Sequence, residues 1–369
     1  MSFEKMGLSR ELVRATKACG FEAPMPVQEA VIPHALLGKD IAASARTGSG
    51  KTASFVLPML QRIQSSDKKV RAGKARALIL APTRELAMQI AAEIEKFGKF
   101  ISPSVVTVVG GEAYGPQIKK LQRGVDIIVA TPGRLIDLLK QRKVDLSDVS
   151  IFVMDEADRL LSMGFLDEVM TISSKLPDKA QKLLFSATLQ GSVDKVIRNI
   201  LKEPIRITLT SNSEIHTSIK QKVFHAHNVG EKTDMLTRIL KSEDLKKVLI
   251  FTATKRSAKS LAERLNSLGY RTGSLHGDMS QPARRRAIDS LRRGRIKLMV
   301  ATDVAARGLD ILDISHVINF DLPMVAEDYI HRIGRTGRAG SKGTAISFVG
   351  PQDRKKLSQI ERLTGRKIS

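Results

Sequence analysis

The sequence predicts an α/β protein of two domains, each built on a mainly parallel β-sheet flanked by helices. Short apolar runs of strand length alternate with segments of helical periodicity, a pattern typical of parallel sheets covered by helices. The alternation stops at a polar stretch near residue 210 and then resumes. The length of 369 residues also favours two domains, since one domain has on average ~150 residues.

The strand predictions rest on apolar runs that are bounded by glycine, proline or polar residues. The runs are Ile41–Ala43, Ala77–Leu80, Val105–Val109, Val125–Ala130, Ile151–Met154, Leu183–Phe185, Val248–Phe251, Leu298–Ala301, Val317–Phe320 and Ala345–Val349. Between two of them, Leu86, Ile90, Ile94 and Phe97 share one face of a predicted helix. We place the domains at residues 1–208 and 219–369, with a linker at 209–218.

The net charge of +23 favours a polyanionic partner, and nucleic acid is the first candidate. A charge that serves only solubility, or attraction to a membrane surface, is the alternative. The single cysteine, Cys19, excludes an internal disulfide framework and a cysteine-based metal site. No apolar run reaches the ~18–20 residues of a membrane-spanning helix, and the N-terminus lacks a signal-peptide pattern. We therefore expect a cytoplasmic protein without a membrane partner.

Residues 45–52 read Ala-Arg-Thr-Gly-Ser-Gly-Lys-Thr and lie between a predicted strand and a predicted helix. This pattern is typical of a phosphate-binding loop, whose backbone N–H groups wrap the phosphates of a nucleotide. Lys51 would reach the β- and γ-phosphates, and the hydroxyl of Thr52 can ligate Mg²⁺. The remaining predicted contacts to the nucleotide phosphates in this loop are Thr47, Gly48, Ser49 and Gly50. A glycine-rich turn before a helix is the alternative.

An acidic group follows the apolar run Ile151–Met154 at the position where phosphate-loop enzymes hold their metal. Asp155 fits the role of a Mg²⁺ ligand, and Glu156 could orient the attacking water as a general base. The alternative is an acidic helix start, where carboxylates interact favourably with the helix dipole. The phosphate-loop pattern about a hundred residues earlier favours the catalytic interpretation.

Short motifs occur along the whole chain. In chain order they are Gln28 in GFEAPMPVQ, ARTGSGKT at 45–52, PTREL at 82–86, Gly110–Gly111, TPGR at 131–134, DEAD at 155–158, Ser186–Ala187–Thr188, LIFTAT at 249–254, ATDVAARGLD at 301–310 and HRIGRTGR at 331–338. With these motifs, the chain resembles the DEAD-box ATP-dependent RNA helicases from end to end. The short N-terminal lead-in looks like bacterial members of the RhlE-type group. The resemblance implies two tandem RecA-like domains that bind ATP and RNA. We also expect a monomer, and the sequence does not identify protein partners.

The resemblance also implies roles for residues around the nucleotide. Gln28 would contact the adenine edge, and Phe3 would pack on the adenine ring, although Phe3 could instead anchor the terminus in the core. Met25 departs from the family, which has Ser or Thr there, so a local hydrogen bond is weakened. Asp310 would accept hydrogen bonds from the ribose, with Gly308 allowing close approach.

In the second domain, the resemblance assigns Arg335 and Arg338 to the γ-phosphate. Planar guanidinium groups suit this role because they stabilise charge on a transferring phosphoryl group. His331 would couple ATP to RNA through Asp158 and the segment from Ser186 to Thr188. An arginine-rich helix end exposed to solvent is the alternative, but a plain surface helix would avoid the glycines of this motif.

The residues that the resemblance assigns to RNA follow predicted strands in the first domain. They are Thr83, Arg84, Gly111, Thr131 and Arg134 in the first domain, with Arg284 and Thr302 in the second. Hydroxyl groups, backbone N–H groups and arginines suit sugar and phosphate rather than base edges, so we expect little sequence preference. Residues 284–286 could also include a solvated helix face.

We therefore predict a helicase that locally separates short RNA duplexes by RNA-stimulated ATP hydrolysis and interdomain closure. Two rival functions remain open at this stage. An RNA clamp would hold a single strand and use hydrolysis only for release, which a strand-displacement assay would reveal. A DNA helicase or translocase would unwind long duplexes, so the dependence of unwinding on duplex length distinguishes it. The RNA and the cellular process are not encoded in these motifs.

Overall fold

The protein is described here by a computed structural model that covers residues 2–45, 49–66, 70–209, 219–242, 245–306, 314–337 and 342–368. The chain divides into two compact units, Met1–Thr210 and Ser211–Ser369. Among the covered residues, no helix combines the length and apolar character that a transmembrane segment requires. The predicted linker lies outside these ranges except for Leu209, and it stays a prediction.

The first unit is built on a parallel sheet with the strand order β3-β4-β2-β5-β6-β1-β7. Its strands are β1 (Ile41–Ser44), β2 (Ala75–Leu80), β3 (Val105–Val108), β4 (Val125–Ala130), β5 (Ile151–Met154), β6 (Gln181–Ser186) and β7 (Ile205–Thr208). Its helices are α1 (Arg10–Ala18), α2 (Pro26–Leu36), α3 (Lys51–Gln64), α4 (Arg84–Phe97), α5 (Tyr114–Leu121), α6 (Pro132–Lys140), α7 (Ala157–Ser162), α8 (Leu166–Ser173) and α9 (Ser192–Ile200).

Alternation of apolar side chains along the strands gives this sheet a hydrophobic core on each face. In β2, Ala77 and Ile79 join one cluster with residues of α1 to α4, while Leu78 and Leu80 join another with residues of α5 to α9. Successive side chains of a strand point to opposite faces, so a strand that is apolar throughout must be covered on both sides. The predicted parallel sheet between two helical layers is confirmed.

The second unit repeats this architecture with the strand order β10-β11-β9-β12-β13-β8, again with parallel pairs. Its strands are β8 (Ile219–His225), β9 (Lys247–Phe251), β10 (Thr272–Leu275), β11 (Leu298–Ala301), β12 (Ile314–Asn319) and β13 (Gly343–Val349). Its helices are α10 (Val229–Ser242), α11 (Lys255–Ser267), α12 (Gln281–Arg292), α13 (Asp303–Ala306), α14 (Ala326–Ile333) and α15 (Arg354–Thr364).

Every predicted strand is present, with its ends shifted by three residues or fewer, but β7, β8 and β10 were not predicted. All three lie at or next to sheet edges, where one side of the strand is exposed and polar side chains are tolerated. The sequence of β8 contains two lysines and a glutamine, and β10 reads Thr-Gly-Ser-Leu. Neither segment contains the apolar run on which the strand predictions depended.

Asp40 connects three segments of the first unit by hydrogen bonds. They lie at the amino ends of the strands, opposite the carboxyl ends that the functional motifs follow. This largely buried carboxylate precedes β1 and accepts hydrogen bonds from the backbone N–H groups of Lys182 and Lys202, both at 2.8 Å. Each carboxylate oxygen therefore satisfies a donor that would otherwise be left unpaired in a poorly hydrated position.

We expect Asp40→Asn to destabilise the first unit by about 1–3 kcal/mol, because one backbone N–H would face an amide N–H₂ group instead of an acceptor. Urea unfolding at constant pH measures the loss. Asp178→Asn, at an exposed position in the same unit, is the control and should be nearly neutral. Equal stability of the two variants would show that the Asp40 hydrogen bonds contribute nothing.

Candidate functional site

The strand order of the first unit places the predicted ATP and RNA residues side by side. The phosphate loop, the DEAD segment and Ser186 follow or end β1, β5 and β6, which are neighbours in the sheet. The predicted RNA segments follow β2, β4 and β3, which form the adjoining half. Because the strands are parallel, all of these segments lie at the same carboxyl edge, where open α/β sheets bind ligands.

The phosphate loop is described in part. Lys51 begins α3 and is largely buried, and its ammonium group donates a hydrogen bond to the carbonyl of Ala45 at 2.8 Å. Gly50 has a left-handed φ of +88°, which glycine adopts without strain. Ser49 and Thr52 are half-buried. The predicted contacts Thr47 and Gly48 lie outside the residues that the structure describes.

Gln28 connects the start of α2 to this loop. Its side chain is fully buried, and its Oε1 accepts a hydrogen bond from the backbone N–H of Met25 at 2.9 Å. Its Nε2 donates to the carbonyl of Gly50 at 3.3 Å. A Cβ atom at Gly50 would come within 2.5 Å of this Nε2, so the approach requires glycine. Met25 makes no side-chain capping hydrogen bond, as its departure from the family led us to expect.

Phe3 lies in the hydrophobic core rather than on an open surface. Its ring meets that of Phe21 edge to face, with the centroids 6.5 Å apart. The position favours the alternative that Phe3 anchors the N-terminal segment. Its contact with adenine stays a prediction.

Asp155 is 3% exposed, and its burial raises the pKa of the carboxyl group from 3.8 to about 6. The positive charge of Lys51 opposes this shift, while the neighbouring carboxylate of Glu156 adds to it. The backbone N–H of Glu156 donates to Oδ1 of Asp155 at 2.9 Å and holds the carboxylate in place. An ionised carboxylate in this position would be stabilised by a cation.

The predicted coupling residues of the first unit are joined directly. The hydroxyl of Ser186 donates to Oδ1 of Asp158 at 3.0 Å and accepts from the backbone N–H groups of Asp158 and Thr188, both at 3.3 Å. The end of β6 is thereby linked to the start of α7. The structure thus brings Asp158, Ser186 and Thr188 into one hydrogen-bond network.

The RNA half of the edge contains a tightly packed glycine. Gly111 has a φ of +71°, and a Cβ atom there would lie 1.6 Å from Nη1 of Arg84. Within the described chain, no hydrogen bond uses the backbone N–H of Gly110 or Gly111. Two available N–H groups beside a guanidinium group form a suitable environment for a phosphate. Thr83 caps α4 by accepting from the N–H of Leu86 at 3.3 Å.

Arg134 is only 8% exposed and braces the Gly110–Gly111 loop from within the unit. Its Nη1 donates to the carbonyl of Glu112 at 3.1 Å, and its guanidinium carbon lies 3.7 Å from the ring centroid of Tyr114. The Tyr114 hydroxyl in turn donates to Asp137 at 3.1 Å. RNA contact by Arg134 stays a prediction, since these interactions already give it a structural role.

Sequence reasoning missed Tyr114, Gln117 and Arg159. Tyr114 begins α5 and is 39% exposed, and Gln117 donates from Nε2 to the carbonyl of Val109 at 3.0 Å. The signal for Tyr114 was its position three residues after the glycine pair in a chain with only three tyrosines.

The predicted contact Thr131 is largely buried and forms the N-cap of α6 without a side-chain capping bond.

In the second unit, Arg332 has a structural position. Its Nε and Nη2 atoms each lie 2.6 Å from a carboxylate oxygen of Asp303, and Nη1 donates to Asn319 at 3.1 Å. The guanidinium group also lies over the ring of Phe251. This arrangement fastens α14 across the carboxyl ends of β9, β11 and β12.

The other predicted residues of the second unit are partly described. Arg335 is 4% exposed and His331 is half-buried. Gly308, Asp310 and Arg338 lie outside the described residues. Arg284 is half-buried and donates to the carbonyl of Ala305 at 3.3 Å.

Thr302 is half-buried, and its backbone N–H donates to the carbonyl of Leu275 at 3.2 Å. Arg285 and Arg286 are exposed, as expected for a solvated helix face. RNA contact by Arg284 and Thr302 stays a prediction.

A phosphate loop and an acidic strand end on one edge of a parallel sheet define a P-loop nucleotide-binding fold. Comparison with family models extends this assignment. Residues 25–196 match the model of the DEAD/DEAH box helicase, and residues 231–340 match the helicase conserved C-terminal domain. The chain belongs to the DEAD-box helicase family.

Curated relatives support the same family across the whole chain. The chain is 43% identical to the ATP-dependent RNA helicase DeaD of Buchnera aphidicola, covering 100% of this chain and 60% of that protein. It is 40% identical to the DEAD-box ATP-dependent RNA helicase CshA of Bacillus subtilis, covering 100% of this chain and 73% of that protein. The chain thus spans about 60% of the length of the DeaD relatives. The assignment to the RhlE-type group stays a prediction.

Solved structures agree with the fold. Yeast (S. cerevisiae) Dbp5 bound to RNA and ADP BeF₃ matches with a TM-score of 0.88 and 36% identity, over 99% of this chain and 93% of that chain. Mss116p bound to ssRNA and AMP-PNP matches with a TM-score of 0.89 and 31% identity, over 100% of this chain and 77% of that one. The predicted tandem RecA-like architecture is confirmed.

Asp155→Asn should stabilise the protein at neutral pH in the absence of metal and nucleotide. Because the folded pKa of Asp155 is raised from 3.8 to about 6, its favourable contribution to folding is complete below 3.8 and is lost as the pH rises through 6. The ionised carboxylate then costs about 3 kcal/mol, at about 1.4 kcal/mol per unit of pKa.

Urea unfolding at about pH 4 and about pH 7.5 measures this effect, and the gain should be large only at the higher pH. Asp178→Asn, at an exposed aspartate, is the control. A gain of the same size at both pH values would show that ionisation of Asp155 is not its cause.

Proposed function

We propose that this chain is an ATP-dependent RNA helicase that locally separates short RNA duplexes by RNA-stimulated ATP hydrolysis and closure of its two domains. The observation that carries the proposal is the shared carboxyl edge of the first sheet. The predicted ATP residues and the predicted RNA residues follow neighbouring strands there, so binding of one ligand can influence the segments that hold the other. The names of the relatives and of the RNA-bound neighbours support the same activity.

In this proposal, Lys51 and the loop amides bind the β- and γ-phosphates of ATP, while Thr52 and Asp155 hold Mg²⁺. The residues fit that ion, since a hydroxyl and a carboxylate are oxygen ligands and Mg²⁺ is commonly held by one or two carboxylates together with phosphates. Burial of Asp155 beside Glu156 supports a cation at this position. Bound Mg²⁺ would neutralise charge on the phosphates. Glu156 accepts the proton of the attacking water.

Arg335 and Arg338 of the second domain act on the γ-phosphate, and Asp310 with Gly308 contacts the ribose. His331 communicates with the network formed by Asp158, Ser186 and Thr188. The proposal therefore requires both domains for hydrolysis. In other NTPases, an arginine that contacts the transferring phosphate raises the hydrolysis rate roughly 10³- to 10⁵-fold. Arg332 attaches α14 to the second domain through its ion pair with Asp303. This attachment supports a fixed position for the arginine motif within its own domain.

RNA is bound mainly through its sugar-phosphate backbone. The available N–H groups of Gly110 and Gly111, with the guanidinium group of Arg84, support this mode in the first domain. Thr83, Thr131 and Arg134 belong to the same half of the edge, and Arg284 and Thr302 contribute from the second domain. A monomeric state and a cytoplasmic location stay predictions.

Glu156→Gln should abolish turnover but preserve the binding of ATP and RNA, because the amide keeps the volume of the side chain and cannot act as a base. Wild-type protein should hydrolyse ATP much faster with single-stranded RNA than without it, since RNA favours the closed state. ATP hydrolysis, RNA affinity with ATP and displacement of a strand from a short duplex are measured for both proteins.

Equal hydrolysis with and without RNA would contradict the proposal. Hydrolysis that RNA stimulates without any strand displacement would identify an RNA clamp instead. Efficient unwinding of long DNA duplexes would identify a translocating DNA helicase.

Gly111→Ala should weaken RNA binding by about tenfold. An alanine held in a left-handed backbone conformation costs roughly 1–2 kcal/mol of conformational free energy, and its Cβ atom would displace the guanidinium group of Arg84. Fluorescence anisotropy with a labelled single strand measures the affinity. Gly115→Ala is the matched control, since a Cβ atom there meets nothing within 4 Å. Unchanged affinity of Gly111→Ala would place this loop outside the RNA site.

A further inference from the structure

A buried arginine lies directly behind the proposed general base. Arg159 is 2% exposed, and its Nε atom lies 3.5 Å from Oε2 of Glu156. Both residues belong to the first turn of α7, where positions three apart share one face. Neither Nε nor Nη1 of Arg159 has a hydrogen-bond partner among the described residues. The ion pair with Glu156 is therefore the main favourable interaction that the structure gives this guanidinium group.

Burial of the Arg159 guanidinium group is expected to lower the stability of the protein. A buried ionised group with unsatisfied donors destabilises a protein, and an apolar side chain of similar volume is often better for stability. Lys51 already acts on Asp155 from the phosphate loop. Arg159 makes its direct contact with Glu156 alone among the acidic residues of this segment.

Glu156 has a left-handed backbone with φ of +50° at the N-cap of α7. Its side chain makes no capping hydrogen bond to that helix, and its Oε2 lies beside Arg159. A general base must lie within hydrogen-bond reach of the proton it accepts, and small errors in placement reduce the rate strongly.

We propose that Arg159 is a positioning residue that holds the carboxylate of Glu156 through Oε2, so that Oε1 is presented to the attacking water. The inference rests on the proposed function. In the step concerned, the water oxygen bonds to the γ-phosphorus while the bond to the bridging oxygen breaks and its electron pair leaves with ADP. The water proton passes to Oε1 of Glu156, and Arg159 retains its own protons throughout.

The test compares Arg159→Met, which removes the charge but keeps the bulk, with Arg159→Lys, which keeps a charge. We expect Arg159→Met to lower kcat by about 10- to 100-fold, with KM for ATP and RNA affinity changed by no more than about threefold. Arg159→Lys should recover part of kcat, because an ammonium group can still attract Oε2. A purely structural role would not separate kcat from KM in this way.

Arg76→Met is the matched control. Arg76 also forms a half-buried ion pair, 3.4 Å from Asp126, and its Nε likewise lacks a hydrogen-bond partner among the described residues. It lies near the start of β2, at the opposite edge of the same sheet. Its replacement should reduce stability without the loss of kcat.

Wild-type kcat in folded Arg159→Met, or an equal loss of kcat in Arg76→Met, would overturn the inference. If Arg159→Met does not fold, Arg159→Gln takes its place, and wild-type kcat in that variant has the same meaning. A wild-type protein without RNA-stimulated hydrolysis would instead contradict the proposed function itself. The two failures are therefore distinguishable.

Discussion

Parallel pairing of β5 between β2 and β6 is the constraint on which the rest of the first unit depends. These strands are far apart in sequence, yet their register brings Met154 level with Leu80 and Leu184. Asp155 then continues the ladder, with its N–H donating to the carbonyl of Leu80 at 3.0 Å. A shift of register would move the acidic segment away from Lys51 and from Ser186 together. The apolar cores on both faces oppose such a shift, since every strand side chain would change its face.

Much of this arrangement was predictable from residue patterns, because each central parallel strand contains a continuous apolar run. The same property explains why the edge strands escaped prediction: β7 alternates between half-buried and exposed residues, and β8 contains mostly polar ones. Motif spacing identified the phosphate loop and the acidic segment, but not how each side chain is used. Arg134 was predicted to contact RNA, and the structure also stacks it on Tyr114, a contact between residues twenty apart that no local pattern encodes.

Arginines show most clearly where sequence reasoning reaches its limit. Arg332 and Arg335 are three residues apart in one glycine-containing motif, and both are buried. The guanidinium group of Arg332 is paired with Asp303 and Asn319, so it stabilises the domain. Arg159 is equally buried but is paired at 3.5 Å with a single carboxylate. Sequence shows the charge of each residue, whereas only the surrounding packing shows whether that charge is already neutralised.

The stacking of Arg134 on Tyr114 has a spectroscopic consequence. The chain contains no tryptophan, so a tryptophan introduced by Tyr114→Trp would be the sole source of indole emission. Its larger ring would retain the cation–π contact with Arg134, since indole is the strongest partner for a guanidinium group. The position is 39% exposed beside the Gly110–Gly111 loop, so its emission would respond to solvent and to nearby ligands. One substitution would thus allow ligand binding at the RNA half of the sheet edge to be followed by intrinsic fluorescence, without an attached dye.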